Sequence, residues 1–121
     1  MPKILIVDDD VTITELMQAF MTMEGHQPTT VNDSTKALDV ANSVHPDLIT
    51  LDLMMPGLSG LDLCELIHRD PRFASTPIMI ISAKDDLESR ERAKQAGAKE
   101  YLTKPFNMNN LIQKVNELTG S

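Results

Sequence analysis

Residues 47–60 read DLITLDLMMPGLSG, and the fold turns on how this stretch is read. Leu48, Ile49, Thr50 and Leu51 are a short apolar, β-branched run, the kind that fills a strand buried on both faces. Asp52 follows at once, and Met55-Pro56-Gly57 then forces the chain to turn. A carboxylate at the carboxyl end of a buried strand, followed by a turn, is where open α/β sheets place their ligand sites. An Asp in such a place can also simply open a loop or cap the next helix. The other strand ends decide between these roles.

Upstream, Lys3 to Val7 (KILIV) is a continuous apolar run ending in Asp8-Asp9-Asp10. Ile13, Leu16, Met17, Phe20 and Met21 then form a helical stripe, with Gly25 as its stop. Gln27 to Val31 is β-rich but contains Pro28, which cannot donate to a ladder, so this is an edge strand. Ala37, Val40, Ala41 and Val44 form a second stripe, capped by Asp33 or Ser34 and closed by Pro46. Downstream, Ser59 is placed to cap a third helix turning Leu63, Leu66 and Ile67 inward. Ile78 to Ile81 is a further buried strand, ending in Ser82.

Residues 85–96 are helical by propensity, with Asp86/Arg90 and Glu88/Arg92 at i,i+4 spacing. The apolar side of this helix, Leu87, Ala93 and Ala96, is thin, so it is the element most easily shifted. Lys99 to Thr103 is a last strand and Lys104-Pro105-Phe106 a turn. Met108, Leu111, Ile112, Val115 and Leu118 line a final helix. Five strands alternating with five helices predict an α/β fold, a doubly wound five-stranded parallel sheet in a three-layer sandwich. Pro28 on an edge favours the strand order 2-1-3-4-5.

The chain has 121 residues, which suits one domain with one sizeable core over residues 1–121. Eleven Lys and Arg against 18 Asp and Glu give a formal net charge of −7. That argues against direct nucleic-acid contact through a phosphate backbone, and fits a domain that gathers divalent cations or meets a basic partner. The single cysteine, Cys64, cannot form an internal disulfide, and its neighbours describe a packed helix rather than an activated thiol. No run approaches the roughly 20 apolar residues of a membrane span, and the start has no signal-peptide pattern. A cytoplasmic protein is expected.

In the order 2-1-3-4-5 the first and third strands are neighbours, and their ends bring Asp8, Asp9 and Asp52 together. Three carboxylates in one cleft repel one another and recruit protons or a cation. Oxygen-only ligands in a small open cluster suit Mg²⁺. The fourth and fifth strands add Ser82 and Lys104 to the same edge. A cation, a hydroxyl and an ammonium facing carboxylates are what phosphoryl transfer requires, with Asp52, which stands apart, as nucleophile.

Across essentially its whole length the chain resembles the receiver domain of two-component response regulators, a flavodoxin-like fold. The matching residues are Asp8-Asp9, Asp52 within LDLMMPGLSG, Ser82-Ala83, and Lys104-Pro105-Phe106. The resemblance implies that Asp52 accepts a phosphoryl group from a phosphohistidine on a histidine kinase or histidine phosphotransfer protein. It implies Mg²⁺ held by Asp9, Asp52 and the main-chain carbonyl of Met54, with Asp8 acting largely through water, and a cis Lys104-Pro105 bond. Ser82 and Tyr101 match the switch pair: Ser82 shifts to the phosphoryl oxygen and Tyr101 fills the space it leaves. By the same resemblance the kinase docks on the first helix and the Pro105-Phe106 loop. The fourth helix, fifth strand and fifth helix face an unknown downstream protein.

Met54 and Lys84 match the positions that tune phosphoryl lifetime, and an apolar Met54 predicts slow self-dephosphorylation. The resemblance implies a phosphoacceptor domain that promotes only its own phosphorylation and dephosphorylation, rather than an enzyme. It is expected to be either a stand-alone regulator or part of a longer chain.

Two rivals differ in class. Asp8-Asp9-Asp10-Val11-Thr12 also fits the nucleophile motif of haloacid dehalogenase-like phosphatases, with Asp8 as nucleophile, although the chain is short for that fold. A receiver-like docking module working without phosphorylation is the other. The full set of acidic, hydroxyl and lysine positions weighs against it.

Overall fold

In the computed structural model, which describes residues 1–120, five strands are formed: β1 (Lys3–Val7), β2 (Gln27–Val31), β3 (Leu48–Leu51), β4 (Ile78–Ser82) and β5 (Glu100–Thr103). All are parallel in one sheet of order β2-β1-β3-β4-β5. Ser121, the last residue of the expected domain, lies outside the described residues. Every residue of β3 and β4 is buried, as unbroken apolar runs require. Pro28 lies on the edge strand, where its missing N–H costs no ladder bond.

Five helices cover the sheet: α1 (Val11–Met23), α2 (Ala37–Val44), α3 (Gly60–Arg69), α4 (Leu87–Gln95) and α5 (Met108–Thr119). Strand side chains alternate between two cores. Leu5, Val7, Ile49, Leu51, Ile78 and Ile80 pack with Ala37, Ala41, Leu63, Ile67 and Ala93 of α2, α3 and α4. Ile4, Ile6, Leu48, Met79 and Ile81 pack with Met17, Met21, Leu111, Ile112 and Val115 of α1 and α5. Cys64 is buried in the first core, and burial pushes its thiol up to about 12. It is a packing residue.

Helix starts follow local chemistry. Asp10, Ser59, Asp86 and Asn107 each cap a helix by accepting from a main-chain N–H in its first turn. Asp33 caps a single 3-10 turn, Ser34–Lys36, that leads into α2. Glycines at positive φ follow α1 (Gly25, 86°) and α4 (Gly97, 110°).

Three apolar residues expected inward are not. Leu16 is 46% exposed, Leu66 47% and Leu87 86%. In α1 the buried line runs through Thr14, Met17 and Met21, so Leu16 falls on the shoulder of the stripe. In α3, Cys64 takes the inward place beside Leu63 and Ile67. α4 buries only Ala93 along its length. The Asp86/Arg90 and Glu88/Arg92 pairs are not among the ion pairs of the described residues: Asp86 instead accepts from the Ser89 N–H and hydroxyl.

Gly60 sets how closely α3 approaches the end of β3. Its N–H donates to the Leu53 carbonyl at 3.2 Å, and a Cβ there would stand 1.8 Å from the Asp52 carbonyl oxygen. Gly60→Ala is therefore expected to lower stability by about 3 kcal/mol, the upper part of the usual range for overpacking. Urea unfolding measures this, and an unchanged midpoint would show that the loop yields freely.

Candidate functional site

The site lies at the carboxyl ends of β1, β3, β4 and β5. Asp52 continues β3, and its N–H donates to the Val7 carbonyl at 3.1 Å. Asp8 continues β1, its N–H donating to the Val31 carbonyl at 3.1 Å. Both side chains are therefore carried by hydrogen-bonded backbone and both are buried, whereas Asp9 is exposed. One carboxylate oxygen from each of Asp8, Asp9 and Asp52 lies within 4.8 Å of the others. Asp10 is diverted to cap α1.

Lys104 enters from the turn after β5, where its N–H donates to the Ser82 carbonyl at 2.8 Å. The peptide bond between Lys104 and Pro105 is cis, as expected. Its Nζ donates to Asp8 Oδ2 at 2.7 Å and to Asp52 Oδ2 at 3.4 Å. The other Asp8 oxygen accepts from the Asp10 N–H at 2.9 Å, and the other Asp52 oxygen from the Met54 N–H at 3.2 Å. Asp8 is thus held by two short bonds and Asp52 by two longer ones.

Burial raises the Asp52 carboxyl above the ordinary Asp value; the Met54 N–H opposes the shift, the neighbouring Asp8 charge adds to it, and Lys104 offsets it only in part. Burial also works against the Lys104 charge, but its bonds and attraction to Asp8 and then Asp52 prevail and raise its pKa. The cluster holds three carboxylates and Lys104 pairs with two of them, Asp8 and Asp52, so the pocket is short of positive charge. Its donor set, oxygen only and partly open through Asp9, fits a hard divalent cation.

Ser82 is fully buried, its Oγ accepting from the Lys84 N–H at 3.2 Å. Tyr101 is half-buried, packs against the α2–α3–α4 core, and donates its hydroxyl to the Lys84 carbonyl. Ser82 and Tyr101 therefore meet on one loop. Met54 and Lys84 line a shared depression of about 190 Å³ with Ser59, Ser89 and Arg92.

Two supporting residues went unread in the sequence. Asn32 donates from Nδ2 to the Asp8 carbonyl at 2.8 Å and to Thr14 Oγ1 at 3.0 Å, which ties the end of β2 to the site. Gly60 permits the close approach of α3. An Asn after a strand gives no signal by itself, but the glycine immediately after the capping Ser59 was readable as a packing requirement.

A family model described as the response regulator receiver domain matches residues 4–116. The chain is 36% identical over 118 residues to the DNA-binding dual master transcriptional regulator RpaA of Synechocystis, covering 98% of this chain and 49% of that protein. The chain spans about half the length of the curated relatives it matches. The receiver domain of Francisella response regulator 1452 superposes with a TM-score of 0.91 at 35% identity, covering 99% of this chain and 98% of that one. The chemotaxis protein CheY4 of Vibrio cholerae superposes with a TM-score of 0.93 at 27% identity, covering 98% of both chains.

The raised Asp52 pKa carries a stability consequence. Ionisation of Asp52 is disfavoured in the folded state, so its cost is absent below the unfolded-state pKa. The cost grows as pH rises through the raised folded pKa and is full at neutral pH. Asp52→Asn is expected to raise the thermal midpoint by a few degrees, on the order of 1 kcal/mol, at pH 7 in metal-free buffer. The difference from wild type should shrink in acid. Calorimetry across pH checks this, and a lower midpoint for the variant at pH 7 would contradict it.

Proposed function

Since the chain belongs to the response regulator receiver domain family, we propose that Asp52 is its phosphoacceptor. The observation that carries this is the contrast between Asp8, held by the Asp10 N–H and Lys104 at 2.9 and 2.7 Å, and Asp52, held at 3.2 and 3.4 Å. The carboxylate with the weaker contacts is the one free to attack. In the step, an Asp52 oxygen forms a bond to phosphorus while the phosphorus–nitrogen bond of a phosphohistidine breaks. The imidazole nitrogen leaves with the electron pair and is protonated. Lys104 lies within reach of both carboxylates and follows the developing charge, and Ser82 supplies a hydroxyl for one phosphoryl oxygen.

Asp8, Asp9, Asp52 and the Met54 carbonyl are the proposed ligands of Mg²⁺, which supplies charge neutralisation for the transferring group. The domain spans residues 1–121 and acts on itself rather than turning over a substrate. The phosphoryl donor is a histidine kinase or histidine phosphotransfer protein, docking where Ile13, Leu16, Pro105, Phe106 and Met108 line an apolar groove of about 320 Å³ beside Lys104. The exposure of Leu16 supports this placement. Ser82 and Tyr101 relay the change to the face formed by α4, β5 and α5, where a downstream protein binds. RpaA is described as DNA-binding, but a domain of net charge −7 is a poor match for a phosphate backbone, and no nucleic-acid contact is proposed for it. No described helix is long and apolar enough to cross a membrane, and a cytoplasmic location follows from the proposed kinase pathway.

Incubation with acetyl phosphate and Mg²⁺ followed by intact mass tests the assignment. One added phosphoryl group is expected on wild type and none on Asp52→Asn. A label that survives Asp52→Asn but is lost in Asp8→Asn would favour the phosphatase-like use of Asp8, and no label on any form would favour a docking module. The second expectation concerns lifetime. Met54, 58% exposed at the mouth of the site, cannot hold an attacking water by hydrogen bonds. Phosphorylated protein freed of donor is expected to lose its label slowly in Mg²⁺ buffer, and loss within seconds would contradict that role.

A further inference from the structure

The side chain of Arg90 makes three contacts that the phosphoacceptor chemistry does not use. Its Nη2 donates to Thr103 Oγ1 at 2.7 Å, and its Nε donates to the Asp85 carbonyl at 3.4 Å. The guanidinium lies over the Tyr101 ring, 4.6 Å from its centroid. Asp85 belongs to the loop before α4, and Tyr101 and Thr103 to β5. One side chain therefore joins helix, loop and strand. From the other side, the Tyr101 hydroxyl is donated to the Lys84 carbonyl and the ring packs against the core. The ring is held between the loop that follows Ser82 and the guanidinium.

Apolar anchorage of this corner is thin among the described residues. Within α4 only Ala93 is buried, and Leu87 is 86% exposed. Asp86, the residue one turn before Arg90, is occupied by Ser89 and leaves the guanidinium free for Tyr101. A planar guanidinium can stack on an aromatic face while its edge donates hydrogen bonds, which a lysine ammonium cannot do at once.

We infer that Arg90 is a positioning residue of the switch: it clamps Tyr101 in the inward position and thereby sets how readily the phosphorylated conformation forms. The inference rests on the proposed reading in which Ser82 moves to the phosphoryl oxygen and Tyr101 fills the space behind it. With the ring already inward, that rearrangement is partly completed before the phosphoryl group arrives. Removal of the clamp lowers the population of the competent state, and a phosphoryl mimic must then bind against that deficit.

Tyr101 is the chain's one tyrosine and the chain has no tryptophan, so intrinsic fluorescence reports on this ring alone. Acrylamide quenching of wild type, Arg90→Lys and Arg90→Ala without any phosphoryl mimic tests the clamp itself. Titration with beryllofluoride and Mg²⁺ then tests its effect on the site. Tyr101 is expected to become more accessible in Arg90→Ala, and the apparent beryllofluoride affinity to fall about three- to tenfold, with Arg90→Lys between. Arg90→Lys keeps the charge and the alkyl stem, and it decides the matter if Arg90→Ala fails to fold. Equal quenching and equal affinity in all three proteins would overturn the inference, as would tighter beryllofluoride binding by the variants. If quenching changes as expected but wild type binds no beryllofluoride, the clamp stands as geometry. In that case the phosphoacceptor reading fails, and the role in phosphorylation with it.

Discussion

The ammonium of Lys104 between Asp8 and Asp52 is the interaction on which the rest of this structure depends. Strands β1 and β3 lie side by side with Val7 paired to Leu51, so the carboxylates that follow them emerge together at the same edge. At an effective dielectric of about 20, unit charges 4 Å apart interact by about 4 kcal/mol. Two buried carboxylates without Lys104 would bear a repulsion of that order in addition to their desolvation. The cis peptide, the Ser82 carbonyl and the parallel pairing of β4 with β5 place the lysine where that repulsion is offset. Asp9 adds a third negative charge that Lys104 does not reach within ion-pair distance. The edge therefore remains short of cations by design of the topology, whatever occupies it.

The two layers of helices are not equally committed to the sheet. α1 and α5 set Met17, Met21, Leu111, Ile112 and Val115 into one core, and α3 sets Leu63, Cys64 and Ile67 into the other. Each fully buried aliphatic side chain contributes on the order of 1.5–3 kcal/mol. α4 contributes one alanine within the helix and another at its C-cap, so its position depends on polar contacts with loop and strand. Polar contacts at a surface are individually small and can be exchanged at little cost. Rigid strands that fix the carboxylates, next to a helix that is not fixed, give the fold one immobile and one adjustable component.

Much of this was legible in the sequence because it rests on features that survive without tertiary information. An unbroken run such as LITL has no polar face to expose, Pro28 cannot sit in a central strand, and an acid at a strand end has only one edge to occupy. The misassigned residues share a different character. Leu16, Leu66 and Leu87 lie on the shoulders of helical stripes, where a difference of one position decides between core and solvent. Periodicity resolves the direction of a stripe but not its width. Arg90 was paired with Asp86 by spacing, while in the fold the cap at Ser89 and the ring of Tyr101 compete for the two partners and win. Asn32 and Gly60 act through main-chain approaches that only the assembled fold creates.

Charge and anchorage combine in one direction. A phosphoryl group on Asp52 would add about 1.5–2 negative charges to an edge where Asp8 and Asp9 already exceed Lys104. Lys104 and a divalent cation can neutralise part of that charge, and if the Ser82 side chain swings toward a phosphoryl oxygen to donate its hydroxyl, its Oγ gives up the Lys84 N–H from which it accepts. The Lys84 main chain is also where Tyr101 is attached. The β4–α4 loop is therefore a shared joint: a donor drawn from one side of it loosens or re-aims the acceptor on the other. A change of a few kcal/mol at such a joint is enough to invert a two-state population. Among the helices, α4, with its single buried alanine, offers the least resistance to that change, so the response should appear there rather than at α1 or α5.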